Sequence, residues 1–389
     1  MNKETLRRMI TACAGLLPMK NRVLLESSPD LADNTYPAFV AMANDPAFRD
    51  VELTWLAKDC HQYRAAWPQA NVKFVEYDPN DTKQRLRAIW LALTSRCILS
   101  CNKTLWAPRK GQLSLFLGHG TPIKQCKGFY TPGLFCNRWS YPTENVRDVM
   151  VEQLGLRPEQ GRPLGYPRND ALLHPAGALD KVVDRQGRTV LFWLPTFRQH
   201  QKSYDNNYTL PGCGLPLLTE EGNLEKLNAA LEQHNILLVL KPHPVQDMSA
   251  LKASGSGNFK LLYDADLRAA GVQLYEVLAD TDGMLTDYSS VYCDYLLTGK
   301  PIGLTFDDLE QYSKNRGLVM EDIRDFVKGR YLYTLDDLLV FLDELSKNQD
   351  PERENRKAAL DYYDQWQDDG SARRVADYIR RFLERGELE

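Results

Sequence analysis

The sequence predicts an α/β protein of two similar halves, each a parallel sheet with helices on both faces, that face each other across a cleft and are followed by C-terminal helices. Two observations lead to this prediction. Short apolar runs of strand length alternate with helical patterns along both halves of the 389-residue chain. A stretch rich in loop-forming residues at 173–187 separates the two series and is the predicted domain boundary.

The elements follow in order along the first half. The predicted strands there are residues 23–25, 51–57, 72–75, 97–100 and 113–117, and the predicted helices are residues 34–42 and 81–93. In the second half the predicted strands are 189–194, 236–240, 259–262, 284–285 and 302–304, and the predicted helices are 221–234, 271–279 and one from 291 to a Gly299 cap. Beyond residue 333 the pattern is helical, at 336–345, 352–365 and 372–388. The predicted domains are therefore residues 1–20, 21–172, 173–345 and 346–389.

Composition restricts the classes of function. The net charge is only −4, so no global basic field indicates a nucleic-acid partner. The eight cysteines are scattered without CxxC pairs, which favours buried thiols in a reducing compartment over a disulfide framework or a zinc site. No apolar run reaches the length needed to span a membrane. We expect a cytoplasmic protein without a tightly bound metal.

The N-terminal segment, residues 3–20, has the pattern of a basic amphipathic helix. Apolar residues recur on one helical face, and lysines and arginines flank that face. Such a helix can lie in a membrane surface, or it can pack against the body of its own protein. The sequence leaves both alternatives open.

Small oxygen-bearing side chains are concentrated between a predicted strand and a predicted helix, at Thr286, Asp287, Ser289 and Ser290. Unpaired N–H groups and the positive end of the helix dipole lie at such a junction, so added hydroxyls would make a phosphate cradle. The alternative is an ordinary helix cap. One cap needs one such residue and this turn has four, so we favour phosphate binding.

Three more polar clusters follow predicted strands. His119 lies between two glycines in GHGTPIK (118–124), which exposes an imidazole suited to proton transfer and is followed by Lys124. Arg198 ends PTFR and can bind phosphate through its planar fork, although a surface ion pair is the commoner role of an arginine. Lys241 and His243 lie in the stiff turn KPHP. Residues 165–170, GYPRND, form a weaker candidate at the boundary.

The GHGTPIK, LPTFR, KPHP and TDYSS motifs, in this order and with GYPRND, resemble the CDP-glycerol glycerophosphotransferase family of teichoic acid and capsule biosynthesis. The resemblance spans roughly residues 20–320 and includes the N-terminal pattern that leads to Asp33 and Asn34. It implies a glycosyltransferase-B fold with two Rossmann-like domains. It also implies transfer of a polyol phosphate from a CDP-activated donor to a hydroxyl, with release of CMP. Many members associate peripherally with the inner face of the cytoplasmic membrane.

On this basis the second domain is expected to bind a CDP-glycerol or CDP-ribitol donor, and the first a lipid-linked or oligosaccharide acceptor. His119 is the expected base, and His243 is a second catalytic candidate. The expected donor-binding residues are Arg198, Lys241, His243, Thr286, Asp287, Ser289 and Ser290. Asp287, an anion itself, is assigned to orienting His243, to polyol hydroxyls or to a helix cap. The acceptor-side or secondary candidates are Thr121, Lys124, Arg168 and Asp33.

Two other functions are compatible with the same residues. One is a nucleotide-sugar glycosyltransferase or epimerase on the same fold, since the fold alone does not determine the chemistry. The other is a non-catalytic binder of anionic polymer at the membrane surface. A Mg²⁺ ion that arrives with the donor is compatible with the site. The resemblance leaves open whether the enzyme primes or polymerises and which polyol it transfers.

Overall fold

The computed structural model describes residues 14–15, 17–102, 108–128, 131–196, 198, 210–212, 214–242, 248, 251 and 257–388. The chain divides into two compact units. The first comprises the chain up to Gly120 together with Cys126–Asp170 and Asp364–Glu389, and the second comprises Thr121–Gln125 and Ala171–Tyr363. Most of the predicted N-terminal helix lies outside the described residues.

The first unit is built on a parallel sheet. Its strands are β1 (Lys20–Glu26), β2 (Glu52–Ala57), β3 (Val72–Glu76), β4 (Ser95–Ser100), β5 (Leu113–Phe116), β6 (Arg138–Ser140) and β7 (Gly161–Arg162). Their order across the sheet is β3-β2-β1-β4-β5-β6-β7, with β1 pairing in parallel with both β2 and β4. The strand order therefore reverses between β1 and β4, as in a doubly wound fold.

Helices cover both faces of this sheet. They are Thr35–Asn44, His61–Arg64, Thr82–Thr94, Glu144–Leu154 and Ser371–Arg385. Because side chains alternate along a strand, Val23 and Leu25 join one apolar cluster while Leu24 joins the other. The burial of both faces explains why the predicted strands are continuously apolar.

The second unit repeats this architecture. Its strands are β8 (Thr189–Trp193), β9 (Ile236–Leu240), β10 (Phe259–Leu261), β11 (Gly283–Thr286), β12 (Ile302–Thr305) and β13 (Arg330–Leu332). They are parallel in the order β10-β9-β8-β11-β12-β13, which reverses between β8 and β11. The helices are Asn223–Gln233, Asp264–Ala270, Leu274–Ala279, Val291–Tyr295, Leu309–Asn315, Ile323–Phe326, Leu335–Ser346 and Arg353–Tyr363. The predicted α/β class with two parallel sheets is confirmed.

The C-terminal helices are divided between the units, whereas the sequence had grouped residues 346–389 as one segment. Helix Arg353–Tyr363 belongs to the second unit and helix Ser371–Arg385 to the first. The last helix packs on the first sheet because Val375, Ile379 and Phe382 form an apolar stripe that joins the core around Val23. Among the described residues, no helix is long and apolar enough to cross a membrane.

The described cysteines are unpaired thiols, most of them buried, as the sequence predicted. Burial raises the pKa of the Cys136 thiol to about 12 and that of Cys97 further still. Both thiols therefore stay protonated and serve as small apolar side chains in the core of the first unit.

Asp170 holds the start of the last helix in place. Its carboxylate accepts hydrogen bonds from the backbone N–H groups of Ser371 and Ala372 at 3.0 and 2.8 Å. Burial nevertheless raises the pKa of Asp170 to about 6, because it outweighs the effect of these two bonds. The sequence had placed Asp170 in a weak site candidate, and in the structure this side chain is a helix cap.

We expect this carboxyl group to make the protein less stable as the pH rises from about 4 to about 6. The unfolded chain releases the proton near the ordinary value of 3.8, whereas the folded chain keeps it until about 6. The contribution is therefore complete below pH 3.8 and is lost as the pH passes 6. Over this window the free energy of unfolding of the wild type, measured in urea, should fall by roughly 2–3 kcal/mol more than that of Asp170→Asn. Equal losses in the two proteins would contradict the expectation.

Candidate active site

The predicted donor cluster lies where the strand order of the second sheet reverses. The turn that contains Thr196 and Arg198 follows β8, and the turn from Asp287 to Ser290 follows β11, its direct neighbour. In doubly wound sheets, ligands bind beyond the carboxyl ends of the strands at such a reversal. The topology thus brings the two sequence motifs together at the position where a ligand is expected.

Asp287 joins these two turns. Its carboxylate is fully buried and accepts hydrogen bonds from the backbone N–H of Thr196 at 2.9 Å, from the Thr196 hydroxyl at 2.5 Å and from its own neighbour, the Tyr288 N–H, at 2.6 Å. It also accepts one from Arg198 Nη1 at 2.6 Å. The Thr286 hydroxyl adds a bond to the carbonyl oxygen of Leu194 at 2.9 Å. Asp287 and Thr286 therefore fix the turn after β8 against the turn after β11.

Arg198 occupies the centre of this arrangement. Its side chain is 1% exposed, and besides Asp287 it pairs with both oxygens of Asp308 at 2.7 and 3.1 Å. The guanidinium lies near the rings of Tyr288 and Tyr312, 5.0 and 5.1 Å from their centres, and these two rings stack on each other. Burial alone would lower the pKa of the Arg198 guanidinium. The two carboxylates, Asp287 and Asp308, have the larger combined effect and raise this pKa above its ordinary range.

Three of the predicted donor ligands are thus engaged inside the protein. Arg198, Asp287 and Thr286 were expected to contact the donor. In the structure Arg198 and Asp287 pair with each other, and the Thr286 hydroxyl binds the backbone of the turn after β8. The reason is physical: an arginine taken out of water needs carboxylate partners, and Asp287 and Asp308 supply them. Of the roles considered for Asp287, the helix cap is wrong, because its carboxylate binds Thr196 and Arg198 instead. Orientation of His243 and contact with polyol hydroxyls stay predictions.

Ser289, Ser290 and Lys241 are the described members of the cluster that remain available to a ligand. Ser289 and Ser290 are half-buried, and their hydroxyls bond to no other described side chain. Lys241 follows β9, and its ammonium pairs with Asp264 at 2.8 Å with 15% of the side chain exposed. A phosphate bound there would share the ammonium with that carboxylate.

The other donor candidate, His243, lies outside the described residues. Its predicted position beside Lys241 stays a prediction.

The predicted base, His119, lies in the first unit just beyond β5. Gly118 and Gly120 on either side have φ values of 68° and 122°, which only glycine adopts without strain. The His119 side chain is exposed. The two glycines therefore turn the chain so that the imidazole projects from the carboxyl edge of the sheet.

Two residues from distant parts of the chain clamp this glycine loop. Arg168 donates from Nη2 to the carbonyl oxygen of His119 at 2.9 Å and from Nη1 to Asp33 at 2.6 Å. Asn34 is fully buried and donates to the carbonyl oxygen of Gly118 at 2.8 Å while accepting from the Arg168 N–H at 3.1 Å. The structure thus brings together His119, Arg168 and Asp33, three of the residues singled out from the sequence.

Asn34 was not singled out as a site residue. An asparagine at the start of a predicted helix is usually a cap, yet no capping bond is formed by the Asn34 side chain. The only signal in the sequence was its position directly after Asp33.

Thr121 and Lys124 belong to the second unit, although they continue the motif that contains His119. The segment Thr121–Gln125 pairs with the chain around Leu318, through bonds from Gln125 N–H to the Gly317 carbonyl at 3.0 Å and from Val319 N–H to the Ile123 carbonyl at 3.0 Å. The Thr121 side chain is buried. The structure therefore separates these two candidates from the unit of His119, where the sequence had placed them.

No group of three or more histidine, cysteine, aspartate or glutamate side chains is placed to hold a metal ion in the part of the chain that the structure describes.

Comparison with known families agrees with these motifs. A family model described as CDP-Glycerol:Poly(glycerophosphate) glycerophosphotransferase matches residues 10–381. The chain belongs to this family. The resemblance noted from the four motifs is thereby confirmed, and the match extends beyond the residues that carried it.

The relatives that this chain matches are named as enzymes of teichoic acid synthesis. The chain is 29% identical over 241 residues to the teichoic acid ribitol-phosphate polymerase TarK of Staphylococcus aureus, a match covering 59% of this chain and 43% of TarK. It is 28% identical over 247 residues to the teichoic acid ribitol-phosphate primase of Bacillus spizizenii, covering 61% and 57%. The matched region thus spans about half the length of these relatives.

A solved structure of the wall teichoic acid polymerase TagF, in a histidine-to-asparagine variant, has the same fold. The TM-score is 0.72, with 98% of this chain and 97% of that chain covered at 18% identity. At this identity the likeness concerns the fold alone.

Proposed function

We propose that this protein transfers a polyol phosphate, glycerol phosphate or ribitol phosphate, from a CDP-activated donor to an acceptor hydroxyl in the synthesis of a cell-surface polymer, teichoic acid or capsule, and releases CMP. The family match over residues 10–381 carries this proposal. The exposed imidazole on a clamped glycine loop supports it, because a transfer to a hydroxyl requires a positioned base.

The reaction is a displacement at the β-phosphorus of the donor. The acceptor oxygen forms a bond to this phosphorus, the bond to the bridging oxygen breaks, and CMP leaves with that oxygen. The acceptor proton passes to the imidazole of His119. The barrier lies in bringing two anions together and in the charge on the departing phosphate, so positioning and electrostatic stabilisation dominate.

The second unit is the proposed donor site. Lys241 supplies positive charge, and the hydroxyls of Ser289 and Ser290 donate to the diphosphate. His243, beside Lys241 in the sequence, would act with them as a phosphate ligand or a catalytic acid. Arg198, Asp287 and Thr286 lie beneath and keep the two turns in register. A Mg²⁺ ion carried by the diphosphate is compatible with this arrangement.

The first unit is the proposed acceptor site, with a lipid-linked or oligosaccharide acceptor. Arg168, Asn34 and Asp33 hold the backbone of the loop in place, and this fixes the point from which the imidazole reaches the acceptor hydroxyl. Thr121 and Lys124, which belong to the second unit, are proposed as acceptor-side or secondary residues.

A panel of donors tests the reaction class. Incubation with CDP-glycerol, CDP-ribitol and UDP-activated sugars should release CMP from a CDP-polyol and no UDP from the sugars. Release of UDP alone would favour the nucleotide-sugar transferase or epimerase. Donor binding without any release would favour a non-catalytic binder.

We also propose that the protein acts on the inner face of the cell membrane as a peripheral protein. Helix Thr82–Thr94 of the first unit exposes Leu86 and Trp90, at 61% and 54%, one turn apart. The exposed cations Lys83 and Arg87 lie beside them on the same face. Tryptophan and basic side chains together suit the headgroup region of an anionic bilayer, as does the amphipathic pattern of residues 3–20.

Substitution of both apolar residues, Leu86→Ser and Trp90→Ser, should weaken binding to anionic vesicles by about tenfold or more, the worth of one buried apolar side chain. Val340→Ser is the matched control, because Val340 is 47% exposed on a helix of the second unit. Flotation with phosphatidylglycerol vesicles measures the difference. Equal flotation of the double variant and the control would refute this docking face.

A further inference from the structure

A cavity of about 280 Å³ opens at the carboxyl ends of β1, β2 and β3 in the first unit. Its size is just below the usual range for small-molecule sites, enough for a small ligand or one unit of a longer one. Residues that follow each of the three strands line it, including Glu26, Asp30, Lys58, Tyr77, Asp78 and Asn80. None of these residues takes part in the site described above.

The charge of the lining disfavours a phosphate. Three carboxylates, Glu26, Asp30 and Asp78, face a single ammonium, that of Lys58, which lies 3.9 Å from Asp78. An anion placed here would be repelled by more charges than attract it. The donor diphosphate and the phosphates of a polymer are therefore poor ligands for this cavity.

The remaining lining groups suit a ligand rich in hydroxyls. Carboxylates accept hydrogen bonds from hydroxyls, and the Asn80 amide both donates and accepts. Burial and the neighbouring Glu26 raise the pKa of Tyr77, so its phenol stays a donor. The Tyr77 ring offers an apolar face on which the C–H groups of a sugar or polyol can pack.

One loop connects this cavity with the proposed base. Asp30 lines the cavity and accepts a hydrogen bond from the Lys58 N–H at 2.7 Å, while Asp33, three residues on, binds the arginine that clamps the His119 loop. β5, which precedes His119, is two strands from β1 in the sheet. The cavity extends from two to four strands away from β5, so at about 4.8 Å per strand it lies roughly 10–20 Å from the His119 loop along the same edge.

We propose that this cavity is an acceptor subsite that binds a neutral, polyhydroxylated unit, a saccharide or a polyol, a few units along the acceptor from the hydroxyl that His119 deprotonates. This assignment rests on the proposed function. It gives the acceptor domain a neutral recognition site that is separate from the phosphate-binding residues of the donor domain.

Direct binding of neutral probes tests the assignment without relying on turnover. Saturation-transfer NMR on the full chain is run with methyl β-D-glucopyranoside and with ribitol, which separates a saccharide from a polyol ligand, and with glucose 6-phosphate as the anionic counterpart. At least one neutral probe should bind, and glucose 6-phosphate should bind about tenfold more weakly or worse.

The variant Asp78→Lys places a long cation in the cavity and should weaken binding of the neutral probe by about tenfold or more. Asp148→Lys introduces the same charge change at a side chain that is 87% exposed in the same unit, and its probe affinity should equal that of the wild type. Retained probe binding by Asp78→Lys would overturn the proposal. So would a wild type that prefers the phosphate or binds neither neutral probe.

Donor affinity is measured as well, so that failure of the acceptor subsite can be distinguished from failure of the proposed function. Titration with CDP-ribitol and CDP-glycerol should give the same donor affinity for Asp78→Lys as for the wild type, and the variant should raise the acceptor KM rather than lower donor binding. If no donor yields CMP in the wild type, the proposed function fails and the acceptor role with it. Loss of donor affinity in Asp78→Lys would overturn the subsite itself.

Discussion

His119→Ala should lower turnover by about two to four orders of magnitude while leaving donor affinity nearly unchanged. The reason is the separation of roles: His119 is an exposed side chain of the first unit, whereas the proposed donor ligands belong to the second. Its backbone carbonyl, which Arg168 binds, is retained in the variant. The loop should therefore keep its shape and lose only the imidazole.

Three measurements on one preparation separate the catalytic role from a structural one. These are the melting temperature, the donor affinity by calorimetry and the rate of CMP release with acceptor present. His61→Ala is the matched control, because His61 is an exposed histidine of the same unit outside the site. Near-normal CMP release by His119→Ala would mean that another residue is the base. Parallel loss of stability and donor binding would mean that His119 only shapes the turn.

Arg198→Ala should destabilise the second unit by about 3–5 kcal/mol, because it leaves the buried carboxylates of Asp287 and Asp308 without their cation. The sequence alone predicts a different result, a loss of donor affinity in a folded protein, since it treats Arg198 as a phosphate ligand. Arg198→Lys keeps the charge but not the planar fork that spans both carboxylates, and it should lie between the wild type and the alanine variant.

Urea unfolding measures this difference, with Arg324→Ala as the matched control. Arg324 also pairs with an aspartate, Asp322, but its side chain is 50% exposed, so its loss should leave the free energy of unfolding nearly unchanged. A fully stable Arg198→Ala protein with weakened donor binding would restore the role predicted from the sequence. A fully stable protein with normal donor binding would contradict both accounts.

The sequence predicted well what local pattern determines. Long apolar runs identified strands such as β8 and β9, and Gly299 ended its helix with a φ of 67° as expected. Strands β6, β7 and β13 were missed because two or three residues are too few to show an alternation. The helical pattern before β11 is interrupted at Gly271, which ends one helix before the next begins.

The roles of individual site residues depend on distant partners, which a single sequence does not reveal. Arg198 and Asp287 were both recognised as site residues, yet nothing in the motifs indicated that these two would neutralise each other. The clamp of Arg168 on His119 joins residues 49 positions apart, and its pairing with Asp33 joins residues 135 apart. Motifs thus located the candidate site, and the folded arrangement was needed to show which of its side chains are buried and paired with one another.

The central claim is that the polyol phosphate moves to the acceptor and CMP leaves. A CDP-polyol whose β-phosphate carries a radioactive label tests it most directly, with the label followed in the presence of wild-type protein and an acceptor. The account predicts that the label appears in the acceptor in step with unlabelled CMP, and that His119→Ala slows both by the same factor. Label recovered only as free polyol phosphate, or cytidine attached to the acceptor, would contradict it.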